Sequence, residues 1–174
     1  MEVSKILIRQ ETSKDYEEVY KLVSDAFKTA EYVDGDEQDL IVDLRKGDAY
    51  IPELSLVAEI DGEIVGHIMF SKMKVGNDEV LALEPLSIKL KYQKQGIGTA
   101  LIIEGHRIAK LLGYTYSVVF GSGRYYSKFG YMPAIKFGIK VPESIPAESY
   151  MAIKLQENAK PIGGEVTYAK EFGM

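Results

Sequence analysis

The segment Gln93-Lys94-Gln95-Gly96-Ile97-Gly98-Thr99 carries the clearest chemical potential in the chain. Two glycines in alternate positions let the backbone turn sharply and approach a ligand with no Cβ in the way. A helix that starts here presents unpaired amides and the positive end of its dipole, which suits an anion such as a pyrophosphate. A tight turn ahead of a helix would use the same glycines, so the segment must be weighed with its surroundings. It is not a P-loop, because Gly98 is followed by Thr99 and Ala100 rather than Lys and Ser/Thr. Nor is it a dinucleotide fingerprint. Leu101 stands where a third small residue is needed, and no Asp or Glu occurs from Gly105 to Val141 to accept a ribose hydroxyl.

A second group follows at Tyr125-Tyr126-Ser127-Lys128-Phe129-Gly130-Tyr131. A phenol with an ordinary pKa of about 10 can act as a proton donor, or its ring can pack under the turn. Glu84, just before Pro85, is a candidate proton acceptor or a solvated strand-end carboxylate. His67 lies in a strand, where it either faces a site or is satisfied within the sheet. His106 is expected on the outer face of a helix and is given no role. With no cysteine, disulfides, thiolate metal sites and cysteine nucleophiles are excluded. Two histidines do not support a multi-histidine metal site, and no Gly-x-Ser-x-Gly elbow follows a strand.

Charge is unevenly distributed. Between Pro85 and Pro142, nine Lys and Arg meet only Glu104, a local +8 within a chain of net charge −5. A basic half joined to an acidic half suits a polyanionic ligand beside a surface that favours cations, unless the lysines simply decorate solvated helices.

The elements that must position these residues follow from periodicity and punctuation. A strand is expected at 6–8. A helix capped by Thr12 or Ser13 then carries Tyr16, Val19, Tyr20, Val23 and Phe27. A second helix runs from about Asp36 to Gly47. Strands at 54–60 and 64–70 flank Asp61-Gly62, a strong hairpin signal. After a turn at 76–78, apolar runs at 80–83 and 86–88 are separated by Pro85, which forbids a regular ladder there and predicts a bulge or a splayed edge. A helix over 98–112 carries the apolar residues Ala100, Leu101, Ile103, Ile108 and Leu111 and ends at Gly113. A buried strand at 116–120, a short helix at 125–129 and a strand at 151–155 complete a mixed α/β fold: an antiparallel meander, then a β-α-β crossover.

In this setting Gln93, Gly96 and Gly98 resemble the coenzyme A signature Gln/Arg-x-x-Gly-x-Gly/Ala of the GNAT superfamily of N-acetyltransferases. Residues 125–131 resemble the family's aromatic-Tyr-x-Lys-x-Gly-aromatic motif. The resemblance covers about residues 5–135, and the tail is similar to a bacterial subgroup of N-acetyltransferases whose activities are poorly defined. It implies a central mixed, mostly antiparallel sheet flanked by helices, with central strands splayed into a cofactor cleft. Acetyl-CoA would be the cosubstrate, with no metal. Its pantetheine would lie between Leu86-Ser87-Ile88 and the 116–120 strand, and its pyrophosphate on the amides of Gln95, Gly96, Ile97, Gly98 and Thr99. Lys91, Lys94 and Arg124 are candidates for the outer phosphates. Tyr126 matches the acid position, Tyr125 the packing aromatic, and Glu84 a position where an acid is often kept. The reaction implied is direct attack of a primary amine on the thioester, the acceptor being a small molecule or a peptide. The alternatives are a CoA-binding sensor without turnover and a protein-lysine or N-terminal acetyltransferase.

A chain of 174 residues fits one domain, here with a strand-rich extension from about 136. The N-terminal residues lack the apolar stretch of a signal peptide, and no run of about 18 apolar residues occurs. The expectation is a cytoplasmic enzyme without nucleic-acid or membrane partners, with room for a homodimer.

Overall fold

The computed structural model describes residues 5–28 and 35–173. A nine-stranded mixed sheet is built on the expected meander. In chain order come β1 (Leu7–Gln10), α1 (Tyr16–Phe27), α2 (Glu37–Arg45), β2 (Tyr50–Ile60), β3 (Glu63–Val75), β4 (Asp78–Ile88) and α3 (Ile97–Leu111). Then follow β5 (Tyr116–Phe120), α4 (Gly123–Tyr126), β6 (Met132–Pro133), β7 (Ile139–Lys140), β8 (Tyr150–Lys154) and β9 (Gly164–Thr167). The main path is β1-β2-β3-β4-β5-β8-β6. All pairs on it are antiparallel except β4 with β5, which are joined through α3. Residues beyond 136 enter the same sheet. β8 pairs along β5, and β9 pairs with the end of β3.

Strand β3 serves both faces of the sheet, its alternation broken at Val65, where Ala58 pairs with Gly66 but Glu59 with Ile64. Val65, Ile68 and Phe70 pack in the cluster beneath α3 with Leu101 and Ile102. Ile64 and Met69 pack against Val19, Leu22 and Val23 of α1 and Ile41 and Leu44 of α2. Fully burying such a side chain stabilises by about 1.5–3 kcal/mol. The helix starts follow the local chemistry. Thr12 and Asp15 form a capping box in the 3-10 turn that leads into α1.

Helix α3 differs from expectation. It buries Leu101, Ile102, Gly105, His106 and Ala109, whereas Ile103 and Leu111 are exposed. His106 lies inside rather than on the outer face. Gly105 makes this possible: a Cβ there would overlap Cε2 of Phe70.

The α1–α2 layer is pinned by a buried polar cluster. The Glu11 carboxylate accepts from Arg45 Nη2 (2.7 Å) and Nε (3.0 Å), from the Tyr50 hydroxyl (3.1 Å) and from the Ser55 hydroxyl (2.5 Å). His67 belongs to this cluster, its Nε2 lying 3.3 Å from Ser55 Oγ. Its place is thus the sheet core and not the cleft. Burial pushes the His67 and His106 pKa values down to about 4, with the Glu11 charge partly opposing this at His67.

Two outcomes follow. Arg45→Ala leaves a buried carboxylate uncompensated and should destabilise by about 3–5 kcal/mol, lowering the melting temperature by on the order of 10 °C; a change within error would show that the ion pair contributes nothing. Both histidines are neutral in the folded state, whereas in the unfolded chain they titrate near 6.5. Below that pH the unfolded chain therefore binds more protons, and stability falls from pH 6.5 towards 4. The melting temperature should be flat just above pH 7 and fall through this window; a flat profile down to pH 4 would contradict the assignment.

Candidate functional site

The cleft originates in one irregularity of β4. Ile68 pairs with Leu86 and Phe70 with Leu83, so Met69 of β3 faces two residues, Glu84 and Pro85. Proline brings no N–H to the ladder, and the extra residue bends its strand. On the other side, β4 meets β5 only at Leu81–Ser117 and Ala82–Val118. Beyond Ala82 the strands part, leaving facing edges that are not paired with each other. A cavity of about 470 Å³ occupies the gap. Its walls are Leu83, Glu84, Pro85 and Leu86 from β4 and Val119 to Ser122 from the end of β5, with Tyr126, Ser149, Phe27 and Glu37 around them.

At the end of β4 the turn is closed by its own side chains. Gln93 Nε2 donates to the Ile88 carbonyl (3.3 Å) and Gln95 Nε2 to the Lys91 carbonyl (3.1 Å). Lys94 (φ 63°) and Gly96 (φ 88°) are left-handed, and Gly96 caps α3. Gln93, Lys94, Gln95, Gly96 and Thr99 are exposed, while Ile97 and Gly98 are buried. A Cβ on Gly96 would meet nothing within 4 Å, so the space above the α3 N-terminus is open to an anion. Gly98 also makes room within the protein itself. A Cβ there would stand 2.5 Å from the Tyr125 hydroxyl, so its missing side chain admits a tyrosine of the same protein. Among the cations expected near phosphates, Lys91 lies 3.8 Å from Glu63 and 5.1 Å from the Tyr92 ring centroid.

The two adjacent tyrosines separate in role. Tyr125 packs on Phe129 and reaches Gly98. Tyr126 lines the cavity together with Glu84. Its ring fits because residue 121 is glycine: a Cβ there would be 2.7 Å from Cε2 of Tyr126. Burial, then the nearby Tyr125 phenol and the Glu84 charge, push the Tyr126 pKa above the ordinary tyrosine range, so the phenol stays protonated at neutral pH.

Leu86 lines the cavity; Ser87 and Ile88 continue the same strand, with the Ser87 side chain buried on the face away from Leu86. The sequence had singled out neither Ser149 nor Gly121, and it read Phe27 only as part of the apolar face of the first helix. Gly121 carried a readable signal, a glycine between a buried strand and a short helix. Glu37 belongs to the acidic half expected to favour cations, and Ser149 reaches the cavity only because β8 pairs with β5. Among the described residues, no group of three or more His, Asp or Glu is placed to hold a metal ion, and no helix is long and apolar enough to cross a membrane.

Residues 16–131 match the Acetyltransferase (GNAT) family. The chain is 34% identical over 117 residues to the uncharacterized N-acetyltransferase YjhQ of Escherichia coli strain K12, covering 64% of this chain and 65% of that one, just under two thirds of its length. The solved structure of GNAT family N-acetyltransferase YhbS from Escherichia coli, in complex with CoA, superposes with a TM-score of 0.89 at 26% identity, covering 100% of this chain and 95% of that one. A GNAT family acetyltransferase from Brucella melitensis, in complex with acetyl-CoA, gives a TM-score of 0.81 at 28% identity over 98% and 99% of the two chains. The family match runs from the first residue of α1 to Tyr131 and so takes in the parted strands and both loops at their ends; the chain belongs to the acetyltransferase (GNAT) family, enzymes that draw an acetyl group from acetyl-CoA.

Proposed function

We propose that the protein transfers the acetyl group of acetyl-CoA to a primary amine by direct attack, with Tyr126 as general acid and Glu84 as general base. The observation that carries this reading is that one cavity, opened where β4 and β5 part, is lined by both Glu84 and Tyr126. The structures of relatives that hold CoA and acetyl-CoA support the choice of cosubstrate. Pantetheine would pair along the side of Leu86, Ser87 and Ile88 that β5 leaves, and the pyrophosphate would rest on the amides from Gln95 to Thr99. The chain acts as one acetyltransferase domain. Its residues from 136 onward complete the acceptor side, because they carry Ser149 to the cavity. The cytoplasm is the expected compartment.

The proton balance is straightforward. A neutral amine attacks the thioester carbon, and the oxyanion that forms is stabilised by a backbone N–H on the opened stretch of β4. Glu84 takes the proton from the attacking nitrogen. The intermediate collapses, the carbon–sulfur bond breaks, and the Tyr126 hydroxyl gives its proton to the leaving thiolate. The Glu84 charge opposes formation of a Tyr126 phenolate. Once Glu84 has gained the proton of the amine, that opposition is gone, so proton uptake by the base makes the acid stronger when it is needed.

Two measurements test this. Gly96→Asp tolerates the left-handed backbone better than most substitutions and puts a negative charge into the open space above α3. Its dissociation constant for acetyl-CoA, followed by thermal shift, should rise about tenfold or more; unchanged affinity would mean that the phosphate turn lies elsewhere. Release of CoA thiol should be followed with n-butylamine, 1,4-diaminobutane, an aminoglycoside and a lysine peptide as acceptors. Tyr126→Phe should lower kcat with the best of these by about 100-fold, within the range for general acid catalysis, and leave KM for acetyl-CoA near the parent value. Binding of acetyl-CoA with no turnover of any amine would favour a sensor instead.

A further inference from the structure

Behind Tyr126 lies a buried polar string for which the proposed proton transfers have no use. Tyr131 Oη is 2.9 Å from His106 Nε2 and 2.8 Å from Ser117 Oγ. The three residues come from α3, β5 and the loop after α4, and each is at most 9% exposed. They sit among Phe70, Leu101, Ile102 and Val119, a setting in which a hydroxyl without partners would be costly. The imidazole is neutral there, so the string is a chain of uncharged hydrogen bonds.

These contacts hold the hydroxyl end of Tyr131 from two sides. The Tyr131 ring in turn meets the Tyr126 ring edge to face, with centroids 5.6 Å apart and planes at 73°. Tyr125 closes a second side at 5.0 Å, and the bare backbone of Gly121 a third. Tyr126 is therefore boxed, and its Tyr131 wall is fixed at the hydroxyl by two side-chain hydrogen bonds. A small displacement of a catalytic group can cost on the order of 100-fold in rate. We propose that His106 and Tyr131 are positioning residues for acetyl transfer, fixing the Tyr126 phenol where the thiolate leaves. This rests on the reading of Tyr126 as proton donor.

A double-mutant cycle with acetyl-CoA and the best amine of the panel tests the proposal. Tyr131→Phe and His106→Leu should each lower kcat about tenfold, with KM for acetyl-CoA changed less than twofold. His106→Gln, whose amide reaches the position of imidazole Nε2, should recover most of the loss. In a Tyr126→Phe background neither substitution should lower the rate further, because the group they position is gone. If the tenfold losses persist in full in that background, the string only stabilises the fold and the proposal falls alone. If Tyr126→Phe itself keeps the parental rate, the proton-donor reading and the proposal fall together. Should Tyr131→Phe or His106→Leu fail to fold, Ser117→Ala, which removes only the hydroxyl at the end of the string, separates the same outcomes in the same two backgrounds.

Discussion

The structure depends on one misfit between neighbouring strands. Glu84 and Pro85 occupy the place of a single residue opposite β3, and β4 leaves β5 after only two pairs. Regular pairing to the end of β5 would close the gap, and the backbone groups at the centre of the sheet would satisfy one another. Because they do not, the sheet offers a strand-shaped slot deep in its own interior. A ligand with amide groups along its length can complete it. The surrounding core is ordinary by comparison: two helical layers on opposite faces of a twisted sheet, each burying an alternating set of strand residues.

Around this slot, charge and burial divide the work. Left-handed and exposed residues cluster at the α3 N-terminus, where backbone dipoles would favour the diphosphate of the proposed cosubstrate. Glu37 and Glu84 line the cavity, and no Lys, Arg or His lines it among the described residues. This lining would favour a cationic acceptor, as the proposed reaction requires. Low polarity around Tyr126 keeps its phenol protonated, and the same burial raises the proton affinity of a thiolate formed beside it.

Much of this was legible in the sequence because it is local. Asp61-Gly62 marks the β2–β3 turn, Gly113 ends α3 and Gly130 ends the tyrosine segment, all with positive φ. Pro85 announced the break in the ladder by its chemistry alone. The order of the motifs placed the cleft between the correct strands. What was not legible depends on distant packing. Strand β2 begins at Tyr50 and runs through Pro52, which is tolerated beside the register shift between Tyr50 and Ser55. His106 was misplaced because Ile103 and Leu111 suggested an apolar face that is in fact exposed. A histidine on the buried face makes sense only once Tyr131 is known to reach it. Strand β9 is four residues long and gains its identity solely from pairing with β3 and β7.

The most direct test of the account is a crystal structure with CoA bound. The account predicts pantetheine lying between β4 and β5 and paired with the opened stretch of β4, the pyrophosphate on the amides from Gln95 to Thr99, and the sulfur within hydrogen-bonding reach of Tyr126 Oη. CoA bound outside the parted strands, or with its sulfur turned away from Tyr126 and towards another proton donor, would contradict it.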